Sequence, residues 1–140
     1  MKITGLCNRA RRAFTLIEIL IVVVLAGIIV AAAIPAISQY KAAQAQTTMM
    51  NDAARIGAAA QIYFGETLSR SVTVQYNPTS GAISAPAAFR MQDGNKIAPG
   101  YKFPDNEIKI LFDTKEAFTL RHETGGAFTF NDKGELSRSE

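Results

Sequence analysis

Phe14–Ile37 reads FTLIEILIVVVLAGIIVAAAIPAI, an almost unbroken apolar run within a chain of 140 residues. Glu18 is its one formal charge and Thr15 its one other polar side chain. A helix needs roughly 20 apolar residues to cross a bilayer, and this run supplies them. A charge at the bilayer centre costs about 2.5–3.5 kcal/mol even on the mildest insertion scale. Glu18 therefore requires a partner, and the reading of the chain turns on what that partner is.

The length allows one domain plus an anchor. Charge is unevenly spread. Lys2, Arg9, Arg11 and Arg12 precede the apolar run with no acid among them, and without these four cations the formal charge of +3 falls to −1. The basic character belongs to the first thirteen residues, where it keeps the N-terminus cytoplasmic rather than marking a nucleic-acid surface. Cys7 is the only cysteine, and it lies in the same leader with no apolar segment ahead of it. It therefore reads as an incidental residue rather than a lipidation site.

Four readings of the N-terminus compete. A secretory signal would take its basic region from Arg9, Arg11 and Arg12 and its A-x-A site from Ala31-Ala32-Ala33, but its apolar core is normally about 7–15 residues. A twin-arginine signal would start at Arg11-Arg12, and an uncleaved anchor would fit the length. Neither gives Glu18 anything to do. The fourth reading comes from a resemblance. A short basic leader, a small residue, Phe-Thr-Leu-Ile-Glu at Phe14–Glu18 and about twenty further apolar residues resemble the N-terminus of type IV prepilins and type II secretion pseudopilins.

That resemblance implies a prepilin peptidase that cuts between Ala13 and Phe14 and methylates the new amine on Phe14. Glu18 becomes the acid used in subunit assembly, and Gly27 and Pro35 take the family's glycine and proline positions, where the helix kinks or loosens. Pro35 has no amide hydrogen for the carbonyl of Ala31, which gives that kink a local cause. The family prefers glycine before the cut; Ala13 departs from it by one methyl group, and slower processing is expected. Implied partners are the peptidase, copies of this chain, other pilins or pseudopilins, the inner-membrane assembly machinery and membrane lipid, with no nucleic acid. The implied location is the inner membrane, spanned once with the N-terminus cytoplasmic and the C-terminal domain periplasmic or extracellular, and later a pilus or pseudopilus fibre.

Beyond Ser38 the helical pattern turns amphipathic. Met49, Ala53, Ile56, Ala60 and Tyr63 recur at spacings of three and four, with Asn51, Asp52 and Arg55 read as the solvent side and Asp52–Arg55 as a surface pair. No stop appears until Ser69–Ser71, so one helix from Phe14 to about Leu68 is expected, roughly 80 Å long. After it the period changes to two. Val72–Tyr76, Ile108–Phe112, Phe118–His122 and Ala127–Phe130 read as strands, the turn Asn131–Gly134 leads to a last short strand near Leu136, and residues 77–104 read as a variable loop with a short helix near Ala87. The expected fold is α+β: a long N-terminal helix, transmembrane in its first half and amphipathic in its second, packed on one small antiparallel sheet of three or four strands, pilin-like. The expected organisation is a leader over 1–13, a membrane or fibre-core helix over 14–37, its continuation over 38–68 and a β domain over 69–140.

Little in the remainder points to chemistry. Asp105, Asp113 and Asp132 are weak calcium candidates, since their spacing matches no known loop. His122, the only histidine, has no nucleophile or second ligand beside it and reads as a strand residue. No cofactor and no enzymatic activity are expected. The leading expectation is a structural fibre subunit. The alternative is a small exported or membrane-anchored binding domain whose N-terminus serves only as signal or anchor.

Overall fold

The computed structural model describes residues 14–139. The leader, with Cys7 and Ala13, lies outside the described residues. The chain divides into two compact units, Met1–Ile37 and Ser38–Glu140. One helix, α1, runs Leu16–Thr67 with Pro35 inside it. It is followed by β1 (Ser71–Tyr76), β2 (Ile83–Ser84), a short 3-10 turn (Pro104–Asn106), β3 (Glu107–Leu111), β4 (Phe118–His122), β5 (Gly126–Phe130) and β6 (Leu136–Ser139).

In the first unit the described residues are Phe14 onward, and every side chain from Phe14 to Ile37 is exposed. Isoleucine, leucine and valine cover all sides of the helix, which is the pattern of a segment buried by something other than its own chain. In the second unit the same helix is amphipathic. Met49, Ala53, Ile56, Ala60 and Phe64 are buried at helical spacing. Burying each of the larger ones contributes about 1.5–3 kcal/mol.

Against that face lie two antiparallel three-stranded sheets, ordered β2-β1-β3 and β4-β5-β6. In the first, Val72 pairs with Ile110 and Val74 with Ile108, and all four are buried. In the second, Phe118 pairs with Phe130 and Leu120 with Phe128. The five strands named from pattern all form and a sixth joins them, in two sheets rather than the single sheet of three or four strands expected. The missed strand, β2, is two residues long, too short for an alternating pattern to register.

Residues 77–104 are less loop-like than their Gly, Pro and Ala content implied. Ile83, Phe89, Met91, Ile97 and Tyr101 are all buried, so this segment supplies a wall of the core. The helix expected near Ala87 is a turn instead, closed by the Phe89 amide donating to the carbonyl of Pro86 at 2.9 Å. The chain turns there because Phe89 and Met91, two residues apart, both have to reach the core, a spacing that a helix cannot serve.

A second correction concerns Asp52. It is only 4% exposed, not a surface residue. Its Oδ2 accepts the Tyr101 hydroxyl at 2.8 Å and the Ala98 amide at 3.0 Å, while Arg55 reaches Oδ1 at 3.5 Å. The reason is spacing: Asp52 stands three residues after Met49 and four before Ile56, on the buried stripe itself. It anchors the 77–104 segment to α1. Burial pushes the Tyr101 phenol well above the ordinary tyrosine range, and the Asp52 carboxylate adds to the shift. Burial likewise raises Tyr76, whose hydroxyl donates to the carbonyl of Ala98 at 3.0 Å.

The helix and the β5–β6 turn approach closely at Gly57. A Cβ there would stand 2.2 Å from the carbonyl carbon of Lys133. Gly134, at φ +81°, would put a Cβ 2.2 Å from the carbonyl oxygen of Ala53. The β5–β6 turn therefore presses its backbone directly onto the helix, and neither position has room for a side chain.

Candidate assembly site

The helix start is built locally. Phe14 and Thr15 are outside the helix, and Leu16 is its first residue. The Glu18 amide donates to the Thr15 carbonyl at 3.0 Å and lies 3.4 Å from the Thr15 hydroxyl oxygen. Thr15-Leu16-Ile17-Glu18 fits the T-x-x-E spacing of a capping box, a signal in the sequence that the resemblance to prepilins overshadows.

Glu18 is exposed, with Phe14, Ile19, Val22 and Val23 forming a shallow apolar surface beside it. Val22 lies one turn after the carboxylate on the same helix face. A carboxylate in the first helical turn gains about 0.3–1 kcal/mol from the aligned peptide dipoles. The dipole gain alone is therefore smaller than the ~2.5–3.5 kcal/mol cost of placing such a charge in hydrocarbon.

Gly27 has no neighbouring atom within 4 Å of where its Cβ would stand, so nothing packed against it among the described residues requires a glycine there. Pro35 sits within the unbroken α1. The apolar stretch of α1 near the N-terminus is long and apolar enough to cross a membrane.

The three calcium candidates do not converge. Asp132 is buried, and its Oδ2 accepts the Gln61 side-chain amide at 3.1 Å and the Asp113 backbone amide at 3.0 Å. Two N–H groups aimed at that oxygen present positive hydrogens where a cation would have to sit. Asp132 braces α1 against the β3–β4 turn. Asp105 stands apart in the 3-10 turn at φ 55°, and no metal-ligating cluster of three or more occurs among the described residues. His122 closes β4, with its Nδ1 3.2 Å from the Thr124 amide and its ring edge-on to Tyr101.

Residues 8–34 match the family model described as the prokaryotic N-terminal methylation motif. The match is consistent with a type IV prepilin-like family, whose members are structural rather than catalytic. It implies processing by a prepilin peptidase and, with the apolar helix, membrane anchoring. No curated protein and no solved structure matches the chain.

Proposed function

From the N-terminal methylation motif as premise, we propose that the chain is a structural subunit that polymerises through α1 into a type IV pilus or a type II secretion pseudopilus. The carrying observation is the motif's single acid, Glu18, on a helix that is apolar and exposed on every side. Cleavage between Ala13 and Phe14 makes a cationic amine on Phe14, which is then methylated. When one subunit slides beside another, that amine meets the neighbour's Glu18. At an effective dielectric of 20, two charges 4 Å apart attract by about 4 kcal/mol. Desolvation offsets much of this, so the pair specifies register more than it adds stability. Gly27 and Pro35 loosen the helix between them once neighbours cover its backbone.

Two measurements test this. Mass spectrometry of the chain from its native cells is expected to show a start at methylated Phe14. A start at Ile34 would remove Glu18 and leave a secreted binding domain; a start at Met1 would leave an uncleaved anchor. Separately, Glu18→Ala is expected to leave membrane insertion intact while sheared fibres fall by about tenfold or more, the loss that follows when a desolvated charge loses its partner. Fibre yield equal to wild type would end the pairing argument.

A further inference from the structure

The second unit carries a groove of ≈ 390 Å³ between α1 and the 90–92 stretch. Ala58 and Ile62 lie along it, and Arg55, Arg90 and Gln92 supply its polar atoms, with no acid among its lining residues. Arg55 is poorly satisfied. Its contact to Asp52 is 3.5 Å, its bond to the Gly94 carbonyl is 3.3 Å, and its Nε is buried without a partner. Arg90 donates Nε to the Ala87 carbonyl and is otherwise exposed. An apolar floor with two guanidinium groups suits a segment that presents apolar surface beside carboxylates.

The same unit presents such a segment elsewhere. The β3–β4 turn carries Phe112, 38% exposed, with Asp113 and Glu116, both exposed. Asp132 ties this turn to Gln61. Gln61 and Arg55 are six residues apart on α1, which places them on different flanks of the helix. Turn and groove therefore cannot satisfy each other within one chain, yet they are complementary between chains.

We propose that the groove receives the β3–β4 turn of a second copy of this chain, with Glu116 and Asp113 on Arg55 and Arg90 and Phe112 over Ala58 and Ile62. Two different patches in contact form a heterologous interface, which propagates rather than closing into a dimer. The proposal rests on the fibre reading and names the contact that sets subunit register outside the membrane. Lys115 shares the turn, so the turn's net charge is −1; in the groove Arg90 has no acid beside it among the lining residues, while Arg55 shares its charge with Asp52.

The test is a charge swap in the full chain, assembled in its native cells. Arg90→Glu and Glu116→Arg are each expected to cut sheared-fibre yield by about tenfold, because they set like charges face to face. The double variant is expected to recover most of it. Both residues are exposed, and unchanged membrane levels would show that the variants fold. As an independent readout, Gln92→Cys together with Glu116→Cys is expected to give an inter-subunit disulfide ladder that neither single variant gives. If Glu18→Ala abolishes fibres while both charge reversals assemble as wild type and no ladder forms, the groove contact is wrong and the fibre reading stands. If the wild-type chain never polymerises, both are wrong.

Discussion

Leu16–Ile37 and Ser38–Thr67 are stretches of one helix, yet the first leaves every side chain exposed while the second buries one face. Ile17, Leu20 and Ile21 stand more than half exposed, whereas Ala53, Ala59 and Ala60 are at 1% or less. Apolarity alone does not decide burial; the presence of a fitting partner does. In the second stretch the partner is in the same chain, and small residues let strands and turns come close. In the first, no face has such a partner among the described residues.

The sharpest way to break this comparison is at Gly57, where helix and turn meet backbone to backbone. Gly57→Ala would force a Cβ into the Lys133 and Gly134 backbone and is expected to cost about 3 kcal/mol or more, above the usual range for overpacking because backbone has to move. Thermal unfolding of the detergent-solubilised chain, followed by near-UV circular dichroism, would read it. An unchanged midpoint would mean the turn does not press on the helix.

Next in size is Tyr101→Phe, which removes one donor from the buried Asp52 carboxylate and is expected to cost about 1–3 kcal/mol at neutral pH. Its pH dependence has a defined sign. Below an ordinary tyrosine value of about 10, the phenol is protonated in both folded and unfolded chains. Above it the unfolded chain loses the proton while the folded chain, with Tyr101 shifted upward, keeps it. Stability then falls as pH rises through that range. Denaturant titrations at rising pH should show a shallower alkaline loss in Tyr101→Phe than in wild type; an equal slope would assign the loss to other groups.

Smaller still is the helix end. Leu68 holds φ 54° and is 87% exposed, so its side chain pays for left-handed backbone with no burial in return. Leu68→Gly is expected to gain about 0.5–1 kcal/mol, the left-handed penalty less the entropy of the added glycine. A loss in the same unfolding assay would mean that the leucine packs against something outside this chain. The smallest change is expected from Gly27→Ala, within about 0.5 kcal/mol for the second unit. Against Gly57→Ala it isolates the comparison: the same substitution, in the same helix, with and without a partner in the chain.

What the pattern of residues made legible followed from period. The buried stripe Met49, Ala53, Ile56 and Ala60 and the alternation in β1 and β3 needed only the geometry of a helix and of a strand. The prepilin-like N-terminus was legible through the resemblance of Phe14–Glu18 to a known motif; transfer cost added only that a lone acid in an apolar run is unusual. Asp52 carries both signals at once: its charge points to the surface, while its position between Met49 and Ile56 puts it on the buried stripe. The two-residue β2 and the core role of Phe89 and Met91 left no periodic trace.

The sequence by itself determined the membrane-type helix, the acid within it and the α+β class, because periodicity and transfer cost act over a few neighbouring residues. Only the tertiary structure decided that Gly57 meets Gly134, that Asp52 anchors residues 98–101, and that Asp132 binds Gln61 and Asp113 rather than a cation. Those contacts join residues from about 20 to about 80 positions apart. Closing such loops depends on the whole core forming at once, and no local pattern encodes it.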